Sequence, residues 1–177
     1  NRASYGAQTK CASERRHQRH QCDGYPHSMK AVVSLGANIG DPKANLDLAV
    51  ALLREATDVI AVSSYLQTKP VGGPEQPDYL NAVAIVESEL PAKDLLAVLN
   101  GIETAMGRTR EIHWGPRVID LDLIQYGGLL VSDEKLTLPH PRAHERRFVL
   151  APWFEIEPEA ILLTHGRISD LLNTDLE

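Results

Sequence analysis

Cysteine is nearly absent from this chain of 177 residues: it has two, Cys11 and Cys22, both within the first 28. The rest of the chain therefore carries no disulfide framework, which suits a reducing compartment such as the cytoplasm. Long apolar runs are missing as well. None approaches the ~18 residues that a bilayer-spanning helix needs, so a membrane partner is excluded. There is no basic excess either. The formal net charge is −6, which argues against a nucleic-acid partner, because such binding needs a broad basic face. Internal repeats and low-complexity blocks are also lacking. What is left is a chain of ordinary composition, long enough for one domain with a real core.

The charge is unevenly spread. Residues 1–28 hold five Lys/Arg and two Asp/Glu, leaving −9 on the remainder. This first segment lacks apolar periodicity and the apolar stretch of a secretory signal. Cys11, His17, His20 and Cys22 match no common zinc-finger spacing. The expectation for 1–28 is a disordered tail, a linker remnant or an expression-derived segment, with a single domain over 29–177 that starts at Met29.

Within the body, Lys30–Leu35 reads as a first strand. It ends in the turn Gly36-Ala37-Asn38-Ile39-Gly40-Asp41-Pro42. That turn lacks the Lys-Ser/Thr of a P-loop and the three-glycine spacing of a dinucleotide fingerprint, so it reads as structural, with Asn38 bonding nearby backbone. Asp41 and Pro42 start a helix whose apolar stripe is Leu46, Ala49, Val50 and Leu53. Val59–Tyr65 and Leu80–Glu87 read as strands. Between them runs a loop with three prolines and two glycines over 68–79, long enough to be a binding loop or lid. A second helix starts at Leu90-Pro91 and stops at Gly107. Further on, Lys135–Pro141 reads as extended, Pro152 and Pro158 interrupt a helical stretch after Arg142, and Ile161–Leu163 reads as a short strand. The order βαββαβ over 30–125 predicts an α+β, ferredoxin-like core with an antiparallel sheet, followed by a C-terminal helical or turn segment and a short strand.

The most informative stretch is Trp114-Gly115-Pro116-Arg117-Val118-Ile119-Asp120-Leu121-Asp122-Leu123-Ile124. In a strand, Asp120 and Asp122 share one face. Two adjacent carboxylates repel unless a cation lies between them, and Mg²⁺ accepts one or two carboxylates while phosphate and water fill its other positions. Arg108, Arg110 and Arg117 lie close by in an acidic protein, and guanidinium forks match phosphate oxygens. Acids and arginines together describe a polyphosphate clamp. Tyr79 and Asn81 offer an aromatic plane and a two-sided amide suited to a flat heterocycle. His140 sits between two prolines, able to bond phosphate or ribose.

Several segments resemble the 6-hydroxymethyl-7,8-dihydropterin pyrophosphokinase family over about residues 30–165. They are S-L-G-A-N-I-G-D, Q-P-D-Y-L-N-A-V, I-E-x-x-x-G-R-x-R, W-G-P-R-x-I-D-L-D-L-I and L-T-L-P-H-P-R-x-x-x-R-x-F-V-L-x-P. The resemblance implies transfer of pyrophosphate from ATP to the pterin hydroxymethyl group in folate biosynthesis, with release of AMP. It implies that Asp120 and Asp122 hold two Mg²⁺ ions and that Arg108 and Arg117 neutralise developing charge. Glu103, Arg110, Lys135, Thr137, His140 and Arg146 would line the nucleotide site. The pterin would stack between the Trp114 and Phe148 sides, read at its edge by Thr68, Pro70, Val71 and Asn81, with Tyr79 nearby. Some relatives are fused to a neighbouring folate enzyme, so such a partner is expected. Pro141 stands where some relatives carry an aromatic, and the segment between Arg110 and Trp114 is short. Two other readings are a γ-phosphate kinase acting on a small alcohol and a non-catalytic ferredoxin-like module binding a ligand or RNA. The acidic body and the missing aromatic RNA-binding strand pattern count against the latter.

Overall fold

A computed structural model describes residues 28–70, 75–107, 117–174 and 176. The expectations for 1–27, including the zinc-like cluster, and those for Val71, Arg108, Arg110 and Trp114 fall outside the described residues.

The main sheet contains β1 (Met29–Ala37), β2 (Asp58–Val62), β3 (Leu66–Thr68), β4 (Tyr79–Ser88) and β5 (Asp120–Tyr126), with helices α1 (Pro42–Ala56) and α2 (Ala92–Ala105). The strand order is β2-β4-β1-β5, β3 also pairs with β4, and every pairing is antiparallel. Each helix links two strands separated by a third, so two split βαβ units interleave, as the ferredoxin-like expectation requires. Helix α1 starts as read: the Asp41 carboxylate accepts the Ala44 N–H at 3.0 Å, and Pro42 occupies the first turn, where no N–H is needed.

Strand alternation divides the core in two. Ala31, Val33 and Leu35 of β1, Ala82, Ala84 and Val86 of β4, and Leu121 and Leu123 of β5 pack beneath α1 and α2. On the other face, Val32, Val83, Ile85 and Ile124 pack under α3 (Arg147–Ile156) through Val149, Leu150 and Trp153. The expected helices therefore share one face, and α3 adds a third layer on the opposite one.

Three local readings need correction. The stretch expected as one strand over 59–65 breaks after Val62. Ser63 still pairs with β4, its N–H donating to the Val83 carbonyl and its Oγ accepting the Val83 N–H. The Ser64 N–H and hydroxyl both donate to Glu155 of α3, at 2.9 and 2.6 Å, which turns the chain out of the ladder. Pro152 does not interrupt its helix but lies buried inside α3. Proline there forfeits one backbone bond, and burial against the sheet offsets the loss. Asn38, finally, bonds distant segments rather than its own turn.

The remaining elements wrap the sheet: β6 (Val131–Ser132) pairs with β7 (Thr137–Leu138), a 3₁₀ turn covers Ala143–Glu145, β8 (Ile161–Leu162) pairs with β9 (Gly166–Arg167), and α4 (Ile168–Leu171) closes the chain. Gln125 splices the β8–β9 hairpin onto β5: its amide donates to the Ile161 carbonyl at 3.2 Å and accepts the Leu163 N–H at 2.8 Å.

Candidate active site

The α3 face of the sheet is apolar at one end and polar at the other, and the switch follows from side-chain size. On β1, Val32 gives way to Ser34 and Gly36 on the same face. Asp122 and Asp120 lie opposite these two on β5, while Val83 and Asn81 lie opposite them on β4. A floor of serine and glycine between flanking polar residues leaves a cleft, which the α3 side roofs with Arg142, Arg146 and Phe148. A Cβ at Gly36 would come within 3.2 Å of the Asn81 Oδ1, so glycine is what lets that amide lean over the floor.

Alternation also fixes the acid pair. Leu121 and Leu123 enter the core, so Asp120 and Asp122 must both face the cleft. Beyond them a β-bulge at Ile124 leaves that residue without a β1 partner. Its carbonyl instead accepts the His140 N–H at 2.8 Å, which brings the imidazole Nε2 to 4.0 Å from Asp122. His140 Nδ1 accepts the Arg142 N–H at 3.2 Å, so the neutral ring carries its proton on Nε2, toward the acid. Arg146 Nη1 stands 3.6 Å from the same Asp122 oxygen, and its guanidinium lies 5.6 Å from the Phe148 ring centroid. Arg117 pairs with Asp120.

The electrostatics reflect this crowding. Asp122 is pushed up to about 6, first by enclosure within the cleft walls and then by the neighbouring Asp120 charge, with Arg146 opposing. His140 is pushed down to about 4 by burial, with Arg146 adding to the effect. At neutral pH the acid is ionised at a cost and the imidazole is neutral. Both acids offer oxygen donors and stand side by side on one strand face, a combination that suits a hard cation such as Mg²⁺. Among the described residues no cluster of three or more His, Cys, Asp or Glu could hold a metal alone, so phosphate and water would have to complete the shell.

At the other edge of the floor, the Asn81 amide donates to Thr68 Oγ1 at 2.8 Å and lies against β3. Thr68, Pro70, Tyr79, Asn81 and Phe148, all expected at the heterocycle end, line one cleft together with Asp120, Asp122, Arg117 and Arg146. Asn38 ties the entrance together. Its Oδ1 accepts the Arg117 N–H at 2.8 Å, its Nδ2 donates to Gln76 Oε1 and to the Pro77 carbonyl, both at 3.0 Å, and its own N–H donates to the Arg117 carbonyl. One buried amide thus joins the β1 turn, the loop before β4 and the approach to β5.

Three expected nucleotide residues sit elsewhere. Glu103 is buried in α2, its carboxylate accepting the Leu121 N–H at 2.7 Å, so it holds the strand that bears the acids. Lys135 is exposed in the β6–β7 turn, and Thr137 pairs with Ser132 in that small sheet. Neither lines the cleft. Ser34, Gly36, Lys69, Gln76 and Arg142 do line it and were not singled out from the sequence. A signal existed for two of them: Ser34 and Gly36 are the small residues alternating into an otherwise apolar strand.

No helix among the described residues is long and apolar enough to cross a membrane. Residues 32–158 match the family described as 7,8-dihydro-6-hydroxymethylpterin-pyrophosphokinase. The chain is similar to the 2-amino-4-hydroxy-6-hydroxymethyldihydropteridine pyrophosphokinase of Haemophilus influenzae, at 39% identity over 80% of this chain and 90% of that protein. It is likewise similar to the protein of that name from Methylorubrum extorquens, at 45% identity over 75% and 85%. Its fold is like that of the Plasmodium falciparum HPPK-DHPS crystal structure, with a TM-score of 0.66 at 14% identity over 82% of this chain. The chain spans 43% of that longer protein. By sequence and by fold, this chain belongs to the 7,8-dihydro-6-hydroxymethylpterin-pyrophosphokinase family, whose members are ATP-dependent diphosphotransferases of folate biosynthesis.

Proposed function

We propose that residues 29–177 form one catalytic domain, and that its cleft transfers the β,γ-diphosphoryl unit of ATP to the hydroxymethyl oxygen of 6-hydroxymethyl-7,8-dihydropterin. The new bond joins that oxygen to the β-phosphorus. The bond from the β-phosphorus to the α,β-bridging oxygen breaks, AMP leaves, and the hydroxyl proton passes to solvent or an aspartate. The observation that carries this reading is the pairing of Asp120 and Asp122 at one edge of a small-residue floor whose other edge bears Asn81 and Thr68.

Asp120 and Asp122 would hold Mg²⁺, two ions being expected with ATP, and the metal supplies charge neutralisation and polarisation of phosphate oxygens when bound. Arg117 and Arg146, with Arg108, bind and neutralise the transferred group. His140, neutral, donates from Nε2 to a phosphate oxygen. Arg110 binds the nucleotide, as do Lys135 and Thr137 where it extends past the cleft lining, whereas Glu103 acts through Leu121 by holding β5. Trp114 and Phe148 flank the pterin, Asn81, Thr68, Pro70 and Val71 read its edge, and Tyr79 stands nearby. Such transfer is mostly positioning and charge stabilisation, so no strong base is required.

The body free of cysteine supports a cytoplasmic setting. The likeness to Plasmodium falciparum HPPK-DHPS supports fusion to, or association with, a neighbouring folate enzyme. Product analysis tests the reaction: AMP is expected, and ADP in its place would mean transfer of the γ-phosphate alone. Asp122→Ala should abolish Mg²⁺-dependent turnover while the circular-dichroism spectrum stays unchanged. Retained turnover would refute the metal assignment.

A further inference from the structure

Among the described residues, the buried polar side chains hydrogen-bond within the protein with one exception. Asn38, Ser63, Asn81, Ser88, Glu103 and Gln125 all do so. Ser34 of β1 is only 6% exposed, yet its hydroxyl has no hydrogen-bond partner among the described residues. A buried hydroxyl left unpaired costs the fold unless a ligand or water bonds it. Ser34 lines the cleft. Two cross-strand pairings place it, with Asp122 opposite on β5 and Val83 opposite on β4. Directly opposed Cβ atoms on one sheet face lie about 5 Å apart, so Ser34 stands beside Asp122 at the inner end of the floor. The adjoining row runs Asn81, Gly36, Asp120, and Gly36 brings no side chain. Ser34 therefore supplies the one polar side chain that β1, the strand between the two edges, presents to the cleft.

We propose that the Ser34 hydroxyl binds the acceptor substrate at its reacting hydroxyl, its Oγ accepting that O–H and holding the substrate oxygen over β1. The inference rests on the function proposed above for the identity of the acceptor. Its own warrant is position and charge. A molecule gripped at Asn81 and Thr68 and reacting beside Asp120 and Asp122 must carry its reacting oxygen across β1, where Ser34 stands. Arg117 and Arg146 are charged and match phosphate oxygens. An uncharged alcohol is matched by an uncharged partner, and a serine hydroxyl has two acceptor positions to offer it. The low exposure of the site keeps bulk water from competing for that bond. Because Ser34 accepts the substrate's hydrogen, a lone pair of the substrate oxygen is left to face the β-phosphorus. The contact orients the nucleophile and does not take its proton.

The competing explanation is that serine merely keeps the floor small, a task alanine would perform equally. Wild type, Ser34→Ala and Ser34→Cys separate the two in the full chain. Each is titrated by calorimetry with 6-hydroxymethyl-7,8-dihydropterin and with its 6-methyl analogue, which lacks the hydroxyl. Both titrations are run in Mg²⁺ with a saturating non-hydrolysable ATP analogue. Ser34→Ala should weaken binding of the hydroxymethyl compound by about three- to tenfold, the effect of one neutral hydrogen bond. Binding of the methyl analogue should stay within about twofold, because the contact exists only where both hydroxyls are present. Ser34→Cys, close to serine in size but a weak acceptor, should repeat the pattern of the alanine variant. The Kd of the ATP analogue should not move in either. Equal weakening of the two pterins, no weakening of the hydroxymethyl compound, or a loss confined to the ATP analogue would each overturn the proposal. If the wild type binds the pterins but releases no AMP, the reaction assigned above fails, while the comparison of the two pterins still decides on Ser34. If it binds neither pterin, the heterocycle end and this contact fall together.

Discussion

Replacing Asp122 by asparagine should make the ligand-free protein more stable at neutral and alkaline pH. The carboxyl is held at about 6 against an ordinary value of 3.8, a difference of roughly two units, and each unit corresponds to about 1.4 kcal/mol. The sign follows from linkage. The folded state binds the proton more tightly than the unfolded chain, so Asp122 is harmless below its unfolded value and increasingly unfavourable as pH rises through the folded one. The undiscounted penalty would be about 3 kcal/mol. Asp122 nevertheless keeps 37% of its side-chain surface open to the cleft, and solvent screening reduces the figure to about 1 kcal/mol. Asparagine has the same shape without the charge. It spares Asp120 its neighbour, at the expense of one 3.6 Å contact with Arg146. Thermal unfolding in EDTA at pH 8 should therefore show Asp122→Asn melting about 2–4 °C above the wild type. At pH 4, where the native acid is already protonated, the gap should largely close. A variant that is less stable at pH 8, or a gap independent of pH, would refute the argument that these paired acids are kept at a cost to the fold.

Other consequences can be measured in the same way. Asn38→Ala removes three side-chain bonds from a buried position and should cost about 3 kcal/mol, read by urea denaturation; a loss under ~1 kcal/mol would mean that water replaces the amide easily. Gly36→Ala should push Asn81 aside, raising the pterin KM severalfold with little effect on the ATP KM, and equal effects on both would count against the division of the cleft into two ends. His140, depressed to about 4, contributes stability that is present above its unfolded value and lost as pH falls from about 6.5 toward 4. Its imidazole should accordingly stay neutral from pH 6 to 8 in an NMR titration, and a midpoint near 6.5 would show that it is neither buried nor crowded by Arg146.

Much of this was legible from local pattern. The D-x-D could be placed on one strand face because Leu121 and Leu123 alternate with the acids, and the α1 cap could be read because Asp41 and Pro42 act within one turn. The ferredoxin-like class and its antiparallel sheet followed from the βαββαβ series. What escaped were arrangements made between distant segments. Asn38 looks like a turn residue because asparagine usually bonds its own backbone, and nothing local announces a partner at Arg117. The break after Val62 depends on Glu155, far along the chain. The bulge at Ile124 is invisible to alternation, yet it supplies the carbonyl that seats His140. Glu103 carries the right chemistry for a ligand contact, and only packing reveals that it faces the back of β5.

The floor of the cleft has a bearing on selectivity. Asp120 and Asp122 stand on β5, Asn81 stands on β4, and β1 runs between them. The span between the edge proposed to bind phosphate and the edge proposed to read the heterocycle is therefore two strand spacings, about 10 Å. That length is set by backbone hydrogen bonds common to every sheet and by no side chain. Substitutions can change what is gripped at either edge and how far each side chain reaches, but the strand separation beneath them stays the same. The sheet acts as a ruler, and a substrate whose reacting oxygen lies too near or too far from its ring would be rejected by the fold itself.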